Sequence, residues 1–175
     1  MAGVSLVQPC PKKPAVPMIT FHGTNDIFVP YGGLPGASST ASPDGYYEAD
    51  VQLVVDQWAV RNGCQPARID TVVPPVGTTT GPGSTITKRT YGGCTSGHDV
   101  VMYIVEGTGH TYPGGPALDK TLADDVGGQS QSIDAGKYLL NFFDANKRTT
   151  APNFTPVPEI LAAAPTPTLT ITAAN

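Results

Sequence analysis

Charge is scarce in this 175-residue chain: Asp, Glu, Lys and Arg together make up 14%, against about 25% in an ordinary soluble domain. The balance is weakly acidic, with a net charge of -4 and an isoelectric point near 5.1. No cationic surface is therefore offered to a phosphate backbone or an anionic membrane, and neither nucleic acid nor membrane is an expected partner. Long apolar runs are missing too. The longest, such as Val100 to Val105, have strand length and fall far short of the roughly 20 residues that span a bilayer. The apolar start, Met1 to Val7, has no basic leader, no long apolar segment and no small-residue cleavage site, so it is not a signal peptide. Either the protein stays inside the cell or its true start lies upstream. The chain also lacks Cys-x-x-Cys, His-Glu-x-x-His and clustered carboxylates, so neither a metal site nor a cofactor is expected.

Glycine and proline, in contrast, are abundant, at 20 and 18 residues, which is nearly twice their usual share and implies a loop-rich fold. The apolar content suffices for a sizeable core, and the length suits one domain with a tail, or part of a larger domain. Residues 1–147 read as the folded part and 148–175 as a Pro/Thr/Ala-rich tail or linker. From Thr149 onward there are five Pro, seven Thr and six Ala, with Glu159 the single charge. Only Thr168 to Thr172 alternates as a strand does.

Within 1–147 strands alternate with helices. Val16 to Phe21 is a short apolar run closed by His22-Gly23, as for a buried strand. From about Glu48 to Arg61, Val51, Val54, Val55 and Trp58 share one helical face, and Asn62-Gly63 provides the stop. Arg68 to Val73 and Thr85 to Tyr91 read as strands joined by a Pro/Gly/Thr loop. Val100 to Val105 lacks alternation and reads as a strand buried on both faces. A last helix, from about Ser132 to Asn146, places Ile133, Gly136, Leu140 and Phe143 on one face, with Leu139 and Phe142 beside it. This order favours an α/β fold with a mostly parallel sheet, in which functional groups gather on loops leaving the carboxyl ends of strands.

Two loops fit that rule. The first apolar run leads within five residues to Asp26, and Val100 to Val105 leads within five residues to His110. If the two strands are parallel neighbours, with the Trp58 helix in the crossover, carboxylate and imidazole meet at one edge of the sheet. Such a pair serves nucleophilic acyl transfer: the carboxylate fixes the imidazole tautomer and stabilises the imidazolium, while the other ring nitrogen takes a proton from the nucleophile. Spacing alone leaves a turn-capping Asp and a structural His as the competing reading.

At these residues the sequence resembles the secreted esterases that include feruloyl esterases, acetylxylan esterases and polyhydroxybutyrate depolymerase-like enzymes. The likeness runs from about Met1 to Phe143. It rests on His22-Gly23-Thr24-Asn25-Asp26 with Val29-Pro30-Tyr31, on Trp58 followed by Asn62-Gly63-Cys64, on Tyr91-Gly92-Gly93-Cys94, and on Val105-Glu106-Gly107-Thr108-Gly109-His110-Thr111-Tyr112-Pro113-Gly114. The resemblance implies the C-terminal part of an α/β-hydrolase fold, a mostly parallel sheet with flanking helices and a β-hairpin insertion, without the N-terminal strands. It implies a Ser-His-Asp carboxylic-ester hydrolase with Asp26 as acid and His110 as base, acting on an acyl ester of a plant polysaccharide or a polyester. Tyr112 stands where the family often has Trp and is expected at the substrate pocket. Cys64 and Cys94 are implied to pair, closing a loop worth about 3 to 4 kcal/mol on the chain-entropy model, and secretion follows. Cys10 is left over, its partner sought in a missing N-terminal half; the competing reading is three reduced thiols in a cytosolic protein.

One departure is decisive. The family's nucleophile sits in a Gly-x-Ser-x-Gly turn, and no such pentapeptide occurs. Gly3-Val4-Ser5-Leu6-Val7 lacks its second Gly, and Gly128-Gln129-Ser130-Gln131-Ser132 follows the His and reads as a helix N-cap region. The chain alone is expected to be inactive. The alternative is a half-domain kept for a binding or structural role. Among the remaining residues, His22 reads as structural, His98 as solvated, Trp58 as core and Lys88-Arg89 as a solvated face. Asn153-Phe154-Thr155 fits the glycosylation pattern, although Pro156 follows it.

Overall fold

The computed structural model describes residues 14–33, 50–77, 81, 83–95 and 98–147. Cys10, Asn153 and the 148–175 tail lie outside them. Among the described residues seven elements follow in order: β1 (Met18–Gly23), α1 (Val51–Arg61), β2 (Arg68–Val72), β3 (Ile86–Tyr91), β4 (Val100–Val105), α2 (Lys120–Asp125) and α3 (Ala135–Ala145). The four strands form one sheet in the order β1-β4-β3-β2.

β1 and β4 are parallel, in register from Met18 opposite Val100 to Gly23 opposite Val105. β4 with β3, and β3 with β2, are antiparallel. The expectation of a mostly parallel α/β-hydrolase sheet is therefore wrong: the sheet is mixed, with one parallel pair and three short helices. For β3 and β4 chain length explains the difference: only residues 92–99 separate them, whereas a parallel crossover needs a dozen or more. The hairpin expected as an insertion instead continues the sheet.

β4 is buried at all six positions because each of its faces carries a core. Val101, Tyr103 and Val105 pack with Phe21, Ile86 and Ile133 under Tyr138, Leu139 and Phe142 of α3. Val100, Met102 and Ile104 pack on the other side with Val51, Val55 and Ala59 of α1, beside Trp58. With apolar residues needed on both faces, no period of two survives in the sequence.

α1 starts at Asp50, whose side chain accepts the Leu53 N–H, and stops at Asn62, with Gly63 in the left-handed region at φ 63°. The stop was legible, since glycine carries no penalty there. α3 is capped by Asp134, which accepts the Lys137 N–H. Its expected face is displaced. Ala135, Tyr138, Leu139 and Phe142 turn to the core, while Leu140 and Phe143 are exposed. Both stripes hold enough apolar residues to suit a helix, and the sequence alone did not choose between them.

Cys64 and Cys94 form a disulfide across 30 residues, tying the end of α1 to the end of β3. Asn62 ties the same corner further: its buried side-chain amide donates to the carbonyls of Val16 (2.7 Å) and His98 (2.9 Å). His98 itself is of intermediate exposure, held here through its backbone carbonyl. Arg89 is no solvated charge either. It pairs in bidentate fashion with Asp70, directly opposite on β2 (2.7 and 2.5 Å), and donates to Gln52 of α1. That hydrogen bond with Arg89 holds the Asp70 carboxyl below the usual carboxylate range. Trp58 is partly buried against the α1-side core and carries the Arg61 guanidinium 5.0 Å above its ring.

Candidate active site

The parallel β1–β4 register sets the site. Gly23 and Val105 end their strands side by side, so the two following loops leave the same edge together. Thr24 N–H donates to the Val105 carbonyl and Asn25 N–H to that of Thr108. The approach is close enough that a Cβ on Gly23 would lie 2.1 Å from the Thr108 oxygen. Any larger residue would push the loops apart.

Asp26 is buried at the base of this crossing. One carboxylate oxygen, Oδ1, accepts the backbone N–H groups of Phe28 (3.0 Å) and Val29 (2.9 Å). The other, Oδ2, lies 3.0 Å from Nδ1 of His110. A buried carboxylate needs such partners to remain charged. Since Oδ1 is taken by the turn, Oδ2 is the oxygen presented to the imidazole. An ionised carboxylate only accepts, so Nδ1 carries the proton and Nε2 is left as a base.

The His110 side chain is 40% exposed, and no described residue hydrogen-bonds to its Nε2. The backbone beneath it is fixed by a third segment: His110 N–H donates to the Val126 carbonyl and Gly109 N–H to that of Gly128. A Cβ on Gly109 would fall 1.7 Å from the Val126 oxygen. Phe28 stands edge-on to the imidazole, 5.6 Å between centroids. Thr24 adds a brace by donating to Glu106 and accepting from the Gly107 N–H.

The sequence thus brought Asp26 and His110 together correctly. Tyr112, two residues beyond His110, is 42% exposed, with its hydroxyl over the first turn of α3 near Gly136. Ser130 is fully buried and donates its hydroxyl to the Gly83 carbonyl, so it is a structural group. Among the described residues no group of three or more His, Cys, Asp or Glu side chains is arranged to hold a metal ion.

Two features escaped the sequence. His22, read only as a structural strand end, lies against Asp26 itself, its Nε2 3.7 Å from Oδ2. The 126–128 support for His110 was signalled only by Gly127-Gly128, both at positive φ. A separate concavity of about 350 Å³, lined by Asp56, Val60, Pro66, Arg68 and Tyr91 among others, opens at the other end of the strands, where Tyr91 faces Val100. Burial, then the Asp56 carboxylate, pushes the Tyr91 hydroxyl up to about 12. Comparison with protein-family models and with curated proteins finds no match for the chain.

Proposed function

We propose that Asp26 and His110 are the acid and base of a Ser-His-Asp carboxylic-ester hydrolase whose nucleophilic serine comes from outside these 175 residues. The observation that carries this reading is the Asp26–His110 geometry. One carboxylate oxygen is locked by two backbone N–H groups, the other meets Nδ1 of His110, and the remaining ring nitrogen has no described partner. A carboxylate serving only as a turn cap has no need of an imidazole that is half open to solvent.

In the proposed reaction Nε2 of His110 takes the proton of the serine hydroxyl as the oxygen attacks the ester carbonyl. The imidazolium, stabilised by Asp26, then protonates the departing alcohol as the C–O bond breaks. Water, deprotonated by the same nitrogen, releases the acid and regenerates the serine. The resemblance to feruloyl and acetylxylan esterases supports an acyl ester on a plant polysaccharide or polyester as substrate. The Cys64–Cys94 bond suits an oxidising compartment, and we propose that the protein is secreted.

The test compares this chain with a longer polypeptide that carries the in-frame upstream sequence, on a short acyl aryl ester and a methyl hydroxycinnamate. The proposal expects turnover only from the longer chain, lost on His110→Ala. An upstream sequence without a Gly-x-Ser-x-Gly turn, or turnover indifferent to His110, contradicts it. A second reading, a binding half-domain without catalysis, draws on the absence of that pentapeptide from the sequence and gains if the longer polypeptide is also inactive.

A further inference from the structure

We infer that His22 is a positioning residue for the acid–base pair, a neutral imidazole that clamps the Asp26 turn and leaves the Asp26 charge to His110 alone. The inference rests on the catalytic reading of Asp26 and His110, but its structural content does not depend on turnover.

His22 ends β1 one residue before the crossing glycine and is 1% exposed. Its Nε2 lies 2.9 Å from the Val29 carbonyl. A carbonyl only accepts, so this nitrogen carries the proton. Val29 is also the residue whose N–H binds Asp26 Oδ1. The peptide segment holding the acid is therefore gripped from both sides, its N–H by Asp26 and its C=O by His22. Without the imidazole, a part-buried carbonyl loses its donor, and the turn is free to swing Oδ2 away from His110.

The protonation state follows from the other ring nitrogen. Nδ1 of His22 is buried and has no hydrogen-bond partner among the described residues. As a bare lone pair it is tolerable, whereas as an N–H of a charged ring it would be an unsatisfied buried donor. The groups facing the ring agree with a neutral state on balance. Asp26, at 3.7 Å, favours the charged ring; His110 opposes it; Tyr31 meets it edge-on at 5.9 Å. Burial outweighs the Val29 and Asp26 contributions and holds the imidazole below its ordinary value. A charged His22 would bid for the same Oδ2 that orients His110. Kept neutral, it secures the turn without competing.

Imidazole nitrogen NMR on the full 175-residue chain tests this in two steps. In the unmodified protein, His22 is expected as the neutral Nε2–H tautomer, and to remain so at pH values below about 6.5, where an ordinary histidine takes up a proton. A charged ring at pH 6.5, or the Nδ1–H tautomer, overturns the inference. The second step reads the tautomer ratio of neutral His110, Nδ1–H to Nε2–H, which Asp26 biases toward Nδ1–H. In His22→Leu the ratio should fall roughly tenfold or more, the scale of one lost buried hydrogen bond. In His22→Gln, whose amide N–H can reach the Val29 carbonyl, it should stay within about threefold of the original. An unchanged ratio in a folded His22→Leu, or an equal fall in both variants, overturns the inference. If His22→Leu does not fold, the first step decides. Absence of esterase turnover in the longer polypeptide would sink the catalytic reading while leaving these NMR outcomes intact, so the two failures are distinguishable.

Discussion

At the scale of single residues, the site depends on groups too small or too buried to be recognised by charge or pattern. Gly23 lets two loops cross within 2.1 Å of where a Cβ would stand. Gly23→Ala is expected to cost at least the 1 to 3 kcal/mol typical of overpacking, roughly, and to separate Asp26 from His110. Denaturant unfolding, read alongside the His110 tautomer ratio, checks both effects. His22 brings a pH dependence. Burial depresses its folded value below 6.5, so on acidification the unfolded chain takes up the proton first. The stability this contributes is complete above about pH 6.5 and is lost as pH falls through the window beneath it. His22→Gln should flatten the melting temperature against pH across that window. A slope identical to that of the unmodified protein would show that the imidazole is not held neutral by the fold.

At the scale of elements, the helices and the disulfide divide the work. The Cys64–Cys94 bond closes 30 residues, and Cys94→Ser with Cys64→Ser should lower stability by about 3 kcal/mol, read as a lower denaturant midpoint. On α3, Phe142→Ala should cost about 2 kcal/mol, because the ring is partly buried against the α3-side core, while Leu140→Ala should change stability by less than about 0.5 kcal/mol. Reversal of these two would mean that α3 packs on its other face. How far the sequence could be read varied along these same elements. β1, β4 and α1 were legible because their apolar residues occupy one uninterrupted run or one clear face, whereas β2, exposed throughout, and β3, buried only at its ends, were marked by the Pro/Gly/Thr loop between them. α3 was misread because Leu139, Leu140, Phe142 and Phe143 supply two competing stripes, and only packing against Tyr103 and Phe21 selects one. α2 was not foreseen at all, since its six residues, Lys120–Asp125, bury no side chain. The roles of Arg89 and Asn62 were hidden for a different reason. Their partners lie across the sheet or beyond the helix end, and cross-strand register is not written in either segment by itself.

At the scale of the whole molecule, the mixed sheet changes the architecture without disturbing the site. Asp26 and His110 require only that β1 and β4 be parallel neighbours, and that one parallel pair is the part of the expected sheet that is present. The antiparallel β2–β3 hairpin covers the other edge of β4 and has no part in the acid–base geometry. The chain by itself should therefore hold the pair in place and still show little or no esterase turnover, since neither a Gly-x-Ser-x-Gly serine nor its neighbouring oxyanion donors occur in it. Robust hydrolysis by the isolated chain, abolished by His110→Ala, would mean that one of its own hydroxyls attacks. The most direct measurement of the central claim is the rate of ester hydrolysis by the longer polypeptide proposed to carry the serine, before and after Asp26→Asn, an exchange that keeps the shape of the side chain but presents the imidazole with the wrong hydrogen-bonding partner. The account predicts a fall in kcat of about 10⁴-fold with KM little changed; a rate within about tenfold of the original would show that the Asp26–His110 bond is structural and does not serve catalysis.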